Sequence, residues 1–326
     1  MQKKQIFFSL ILITVTIIFC QCSRSRYVLS VGGGPLPAGA MEEIAEVEEI
    51  PPPTRAEVVT RALMQAYPDI IKDVGFRNDD WAVLMRNKWY HYAGGRLLPE
   101  NELENTSNYR SMSFYGYPEE LPEWVERTPE ESRRFSSWTG SSGGNRTQTT
   151  PVRRSHFFLD SLWQAGTQIE TESRMVRINF LGKQARVHEL ILERLLIVEA
   201  EIRAAAAVEP EIQTFINTIG SIESYGWRNI AISDSRSYHS YGLALDILPR
   251  SLGGKQTYWL WTSQSGRDWW NVPYSQRYHP PAAVTRIFES YGFIWGGKWQ
   301  QYDTMHYEYR PEILILAGLT VIGLND

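Results

Sequence analysis

Ser237-Tyr238-His239-Ser240-Tyr241-Gly242-Leu243-Ala244-Leu245-Asp246 is the stretch from which the fold of this chain is read. His239 and Asp246 stand seven positions apart. On a helix that spacing is about 10 Å along the axis. On a strand it is more than about 20 Å, with the side chains on opposite faces. Neither regular element brings the two side chains together. If they act as a pair, the chain must fold back between them, and Gly242 is a turn residue in the right place. Asp246 then falls inside the apolar run Leu243 to Leu248, a strand-like segment. A carboxylate in a buried strand is costly unless it is paired or holds a metal.

Working outward, Asp303-Thr304-Met305-His306-Tyr307-Glu308-Tyr309 is the second informative stretch. As a strand, His306 to Tyr309 places His306 and Glu308 on one face, where Glu308 can orient the imidazole. Phe293 to Trp295 and Asn229 to Ile232 are further strand-like runs. Val187, Ile191, Leu195, Val198, Ile202 and Ala205 recur at helical steps, which also puts His188 on a helix. Pro210 opens a second helix, with Ile212, Phe215, Ile216 and Ile219 ending at Gly220. Pro281 opens a third, with Val284, Ile287, Phe288 and Tyr291, and Gly292 as its stop. Helices followed by short strands predict a compact α+β domain over residues 151–326.

Before it the pattern is weaker. Trp81 to Met85 and Lys88 to Tyr92 flank Arg86-Asn87 as a small β-hairpin, with Gly94-Gly95 as a turn. Residues 63–150 are otherwise expected to be an irregular accessory region. Gly140-Ser141-Ser142-Gly143-Gly144-Asn145 marks residues 128–155 as a loop or second linker. Residues 23–62, with Gly32 to Pro35, an acidic run from Glu42 to Glu49 and Pro51 to Pro53, predict a flexible linker. Residues 1–22 predict an export signal: Lys3 and Lys4 precede the apolar run Ile6 to Phe19, shorter than the roughly 20 residues of a spanning helix. Cys20 and Cys22 end that run and are the only cysteines. Lipid attachment there, an uncleaved anchor and a secreted form all stay open, because Phe19 and Gln21 stand where a lipoprotein has a small residue.

Composition narrows the chemistry. A formal net charge of -4 argues against nucleic-acid binding, which favours a basic excess. With no cysteine in the body of the chain, any metal must be held by His, Asp or Glu. Of 12 tryptophans, six lie between Trp259 and Trp299, and they suit either a substrate groove or a core. Two zinc donors must approach within about 4 Å, since each sits about 2.0–2.2 Å from the ion. A lone His is more often structural than ligating, and His91, His156, His188 and His279 are read that way.

The order Ser-x-His-x2-Gly-x-Ala-x-Asp from Ser237, then Gly296-Gly297-Lys298-Trp299, then Asp303-x2-His306, resembles the D-alanyl-D-alanine carboxypeptidase and L-alanyl-D-glutamate endopeptidase family of zinc peptidases. The resemblance covers roughly residues 182–316. It implies zinc held by His239, Asp246 and His306. It also implies Asp303 as the catalytic acid–base, where many members carry Glu, Arg228 as a substrate-binding residue, and Ser237 near the bound peptide. The fold it implies is a small antiparallel sheet with flanking helices, shared with the hedgehog N-terminal domain and lysostaphin-type peptidases. The expected partner is a peptidoglycan peptide, met outside the cytoplasm by a monomer tethered to a membrane through its N-terminal anchor or lipid. Carboxypeptidase and endopeptidase action both fit. A rival is a cell-wall or protein-binding module that keeps zinc without catalysis, against which the intact Asp303 argues.

Overall fold

The computed structural model describes residues 52–112, 114–140, 153–230 and 235–324. The expected export signal and cysteines, the linker as far as residue 51, and residues 141–152 of the expected loop lie outside the described residues.

Helix α1 (Arg55–Ala66) opens the fold, and the Thr54 hydroxyl accepts from the Glu57 backbone N–H to cap it. Val59, Ala62, Leu63 and Ala66 are buried, a stripe at three- and four-residue steps. The linker expected to reach residue 62 therefore stops short of α1; the polar residues between the stripe positions and the neighbouring prolines hid the helix. Strands β1 (Ile71–Arg77), β2 (Asp80–Met85), β3 (Lys88–His91) and β4 (Leu98–Pro99) follow as an antiparallel sheet in that order. The β2–β3 hairpin is the one expected. Its turn residues Arg86 and Asn87 both have positive φ, 49° and 61°, as a two-residue turn matched to strand twist requires. The accessory region is thus more regular than its sequence suggests. β1 escaped notice because a bulge between Ile71 and Asp73 breaks its alternation.

The short β5 (Tyr109–Arg110) pairs in parallel with β6 (Arg153–Arg154). Between them lies α2 (Pro129–Gly140), a helix inside the stretch expected to be loop. Its Phe135 is buried against Trp269 and Trp270. Then come α3 (Phe157–Trp163), α4 (Gln168–Ser173), the hairpin of β7 (Met175–Phe180) and β8 (Lys183–His188), and helices α5 (Leu192–Ala206) and α6 (Pro210–Thr218). Two boundaries differ from expectation. Val187 and His188 belong to β8, not to a helix, and α5 starts at Leu192. Ile219 does not end α6 but starts β9 (Ile219–Glu223). In both places a partner strand takes the backbone hydrogen bonds, which no local periodicity reports.

The central sheet has the order β11-β12-β10-β9, all antiparallel, with β10 at Ala244–Pro249, β11 at Phe293–Trp295 and β12 at His306–Tyr309. Helix α7 (Trp259–Gln264), α8 (Ala282–Ser290) and α9 (Pro311–Leu316) complete the chain. The result is the expected α+β class with small antiparallel sheets and flanking helices. One hydrophobic core runs through both halves: Val59, Leu63 and Ile71 share it with Leu195, Ile202, Phe288 and Phe293. The boundary expected near residue 150 does not separate two cores, and residues 52–326 form one compact unit.

Candidate metal centre and its cavity

His239 sits on a single turn of 3-10 helix, Tyr238–Tyr241. The Ser237 hydroxyl caps that turn by accepting from the His239 N–H at 3.3 Å, and the Ser240 hydroxyl donates to the Ser237 carbonyl at 2.7 Å. Gly242 closes it at φ 70°. A Cβ there would lie 2.5 Å from the Met175 sulfur and 2.8 Å from the His188 nitrogen, so the position needs glycine for its conformation and for its space. The turn reverses the chain into β10, where Asp246 stands directly across from His306 on β12.

These three side chains converge. Asp246 Oδ1 is 3.1 Å from His239 Nε2 and 2.8 Å from His306 Nδ1, and the two imidazole nitrogens are 3.3 Å apart. The other ring nitrogens have partners that fix the tautomers. His239 Nδ1 lies 2.8 Å from the Ser224 carbonyl, which can only accept, so Nδ1 carries the proton. His306 Nε2 lies 3.1 Å from Glu308 Oε2 and donates to it. Both remaining lone pairs then point at a carboxylate oxygen. Three acceptors at this separation repel unless a cation stands among them. Donors of a tetrahedral zinc site are about 3.3 Å apart, and two imidazoles with a carboxylate are zinc ligands. The residues fit that ion.

Charge agrees. Burial works against ionisation of Asp246, but the hydrogen bonds from His239 and His306 outweigh it and hold the carboxyl below the usual range. Burial likewise opposes charge on His306, yet Asp246 and Glu308 on its two nitrogens raise its pKa well above the ordinary value. Without metal, a proton on His306 is the cation of the site. Behind it, Arg310 pairs with Glu308 at 3.4 Å and with Glu312, all three side chains buried.

The centre opens into a cavity of about 890 Å³. Asp303 lines it beside the three residues just described, and its Oδ1 is buried with no hydrogen-bond partner among the described residues. Burial pushes the Asp303 carboxyl up to about 7, with the Asp246 charge adding and that of His306 opposing. Arg228 stands on the rim, half-exposed, its guanidinium 4.0 Å from the second oxygen of Asp246. Ser237 also lines the cavity, although its visible role is to cap the turn that carries His239. Tyr115 and Arg154 form another wall, and sequence reasoning missed both. No motif marks them, since only the fold brings residues from the N-terminal half to this face. The Tyr115 hydroxyl accepts from Trp299 Nε1 at 2.7 Å, and the Trp299 ring lies 5.4 Å from that of His306. The tryptophans divide: Trp269 and Trp270 make a small core with Phe135 and Tyr302, whereas Trp261 and Trp299 face the cavity.

Among the other histidines, His188 is buried, contacts the Trp163 carbonyl at 2.8 Å and caps a short turn. His156 pairs with Asp160, and His91 is buried in the N-terminal sheet. None joins the metal cluster.

Residues 231–309 match the model of a family described as D-alanyl-D-alanine carboxypeptidase. That span contains His239, Asp246, Asp303 and His306 and supports a peptidase. Residues 59–114 match a second model, described as a domain of unknown function. No curated protein and no solved structure matches the chain.

Proposed function

We propose that this chain is a zinc-dependent peptidase that hydrolyses peptide bonds in bacterial peptidoglycan. The observation that carries the reading is the convergence of His239, Asp246 and His306 beside the buried Asp303 carboxylate, whose Oδ1 has no hydrogen-bond partner among the described residues, in one open cavity. His239, Asp246 and His306 would hold a zinc ion, which would supply Lewis acidity to a substrate carbonyl and lower the pKa of a bound water. Asp303 accepts the proton of that water and returns it to the leaving amine. Arg228, exposed on the rim, pairs with a substrate carboxylate, which cell-wall peptides carry. Ser237 holds the His239 turn and offers its hydroxyl to the bound peptide. Lys3, Lys4 and the apolar run to Phe19 support a place outside the cytoplasm, tethered through the N-terminal segment.

Digestion of purified peptidoglycan, with the products identified by mass, tests this. Release of terminal D-Ala marks a carboxypeptidase, and cleavage between L-Ala and D-Glu an endopeptidase. No product from zinc-loaded protein would sink the catalytic reading in favour of a binding module.

A further inference from the structure

The metal centre does not end at Glu308. Glu308 Oε2 accepts a hydrogen bond from His306 Nε2, and Glu308 Oε1 accepts from Arg310 Nη1 at 3.4 Å. Arg310 Nε donates to Glu312 Oε1, and Glu312 Oε2 accepts from the Tyr67 hydroxyl at 2.7 Å. Tyr67 is the C-terminal cap of α1, so the chain of contacts crosses from the N-terminal helix to a metal ligand. Every member is buried: Tyr67, Glu308, Arg310, Glu312 and His306 are each at most 7% exposed.

Three features make this an orienting device. His306, Glu308 and Arg310 recur at steps of two along β12 and its continuation, so the pleat sets them in a row. The Arg310 guanidinium is a planar fork that holds two carboxylates at once, Glu308 and Glu312, which a lysine ammonium does not reproduce. That guanidinium also lies over the Tyr238 ring, 4.9 Å from its centre, and Tyr238 immediately precedes His239. Arg310 thus touches the elements that carry both histidine ligands. A buried ion-pair network adds little stability over an apolar one of the same shape, so its sharper consequence is fixed orientation.

We propose that Arg310 is a positioning residue of the metal centre, and that the chain Tyr67–Glu312–Arg310–Glu308 locks His306 and couples helix α1 to metal binding. This rests on the zinc reading of the His239, Asp246 and His306 site. The network does not touch substrate, so its signature is metal affinity.

The experiment compares zinc affinity, by competition with a coloured chelator, in the full chain and in Arg310→Lys, Glu308→Gln and the double variant. Circular dichroism of each metal-free protein verifies folding. Loss of a partner that orients a ligating histidine typically costs about 10–100-fold in metal affinity. Arg310→Lys should lose that order, Glu308→Gln the same, and the double variant little more than either alone, because Arg310 acts through Glu308. Unchanged affinity in folded Arg310→Lys overturns the proposal. So do losses that multiply in the double variant, since Arg310 would then act elsewhere. Should Arg310→Lys fail to fold, Tyr67→Phe decides: weakened zinc binding supports the coupling to α1, and wild-type affinity overturns it. A wild-type chain that binds no zinc would instead defeat the reading of the site itself.

Discussion

At the scale of single residues, Asp303 and Gly242 carry the sharpest expectations. Asp303→Asn keeps size and removes the basic oxygen. Activity on a cleaved peptide should fall by about 10²–10⁴ while zinc content stays near wild type. Glu308→Gln, which is expected to bind zinc more weakly, is compared at saturating zinc: if it then loses turnover while Asp303→Asn keeps it, the two carboxylates exchange roles. Gly242→Ala meets a different obstacle. A side chain in the left-handed conformation costs about 1–2 kcal/mol, and here Cβ also collides with Met175 and the backbone of β8. The turn that aims His239 should distort, so zinc affinity should drop together with stability. Metal analysis at wild-type levels in that variant would show that the turn tolerates the change.

At the scale of elements, α1 is the informative case. Its face enters the core shared by both halves of the molecule, and it packs on α9 and the N-terminal sheet. Leu63 is almost fully buried there, so Leu63→Ala should destabilise the protein by about 2–5 kcal/mol, read from chemical denaturation. Because the core is shared, the loss should appear in one cooperative transition and not in a separate early step. A chain that begins at Leu63 lacks the first turns of α1 and should fold poorly. If it retained full zinc-dependent activity and wild-type stability, α1 would be dispensable and the shared core energetically trivial.

For the molecule as a whole, protons would compete with a bound metal for one buried charge cluster. In the metal-free protein the raised pKa of His306 contributes stability that is fully present below its unfolded value of about 6.5. That contribution is lost as pH rises through the folded value. Asp303, raised to about 7 from an unfolded value near 3.9, adds a loss that is largely complete by about pH 7. His188 and His279, held low by burial, act in the opposite direction, but their effect ends near pH 6.5. Above about pH 7 the metal-free protein should therefore lose thermal stability as His306 gives up its proton. The zinc-loaded protein, whose His306 has no such proton to lose, should hold its melting temperature. Parallel melting curves with and without zinc would contradict this.

His239, Gly242 and Asp246 stood out because a reversing glycine and a costly carboxylate leave local marks, but spacing alone was a weak signal; the resemblance to a peptidase family is what joined them to His306 and Asp303. The β2–β3 hairpin, β11 and β12 were equally legible, since turn residues and short apolar runs are local signals. What the sequence left hidden depends on partners distant along the chain. β9 is a strand because β10 lies beside it. Residues 55–62 form helix because a core receives their stripe. Arg310 and Tyr67 matter because folding sets them in line behind His306, 245 residues separating Tyr67 from Glu312. Spacing determines what a few neighbouring residues can do together, whereas burial and long-range hydrogen bonds, which only the tertiary structure creates, decide which distant residues hold them in place.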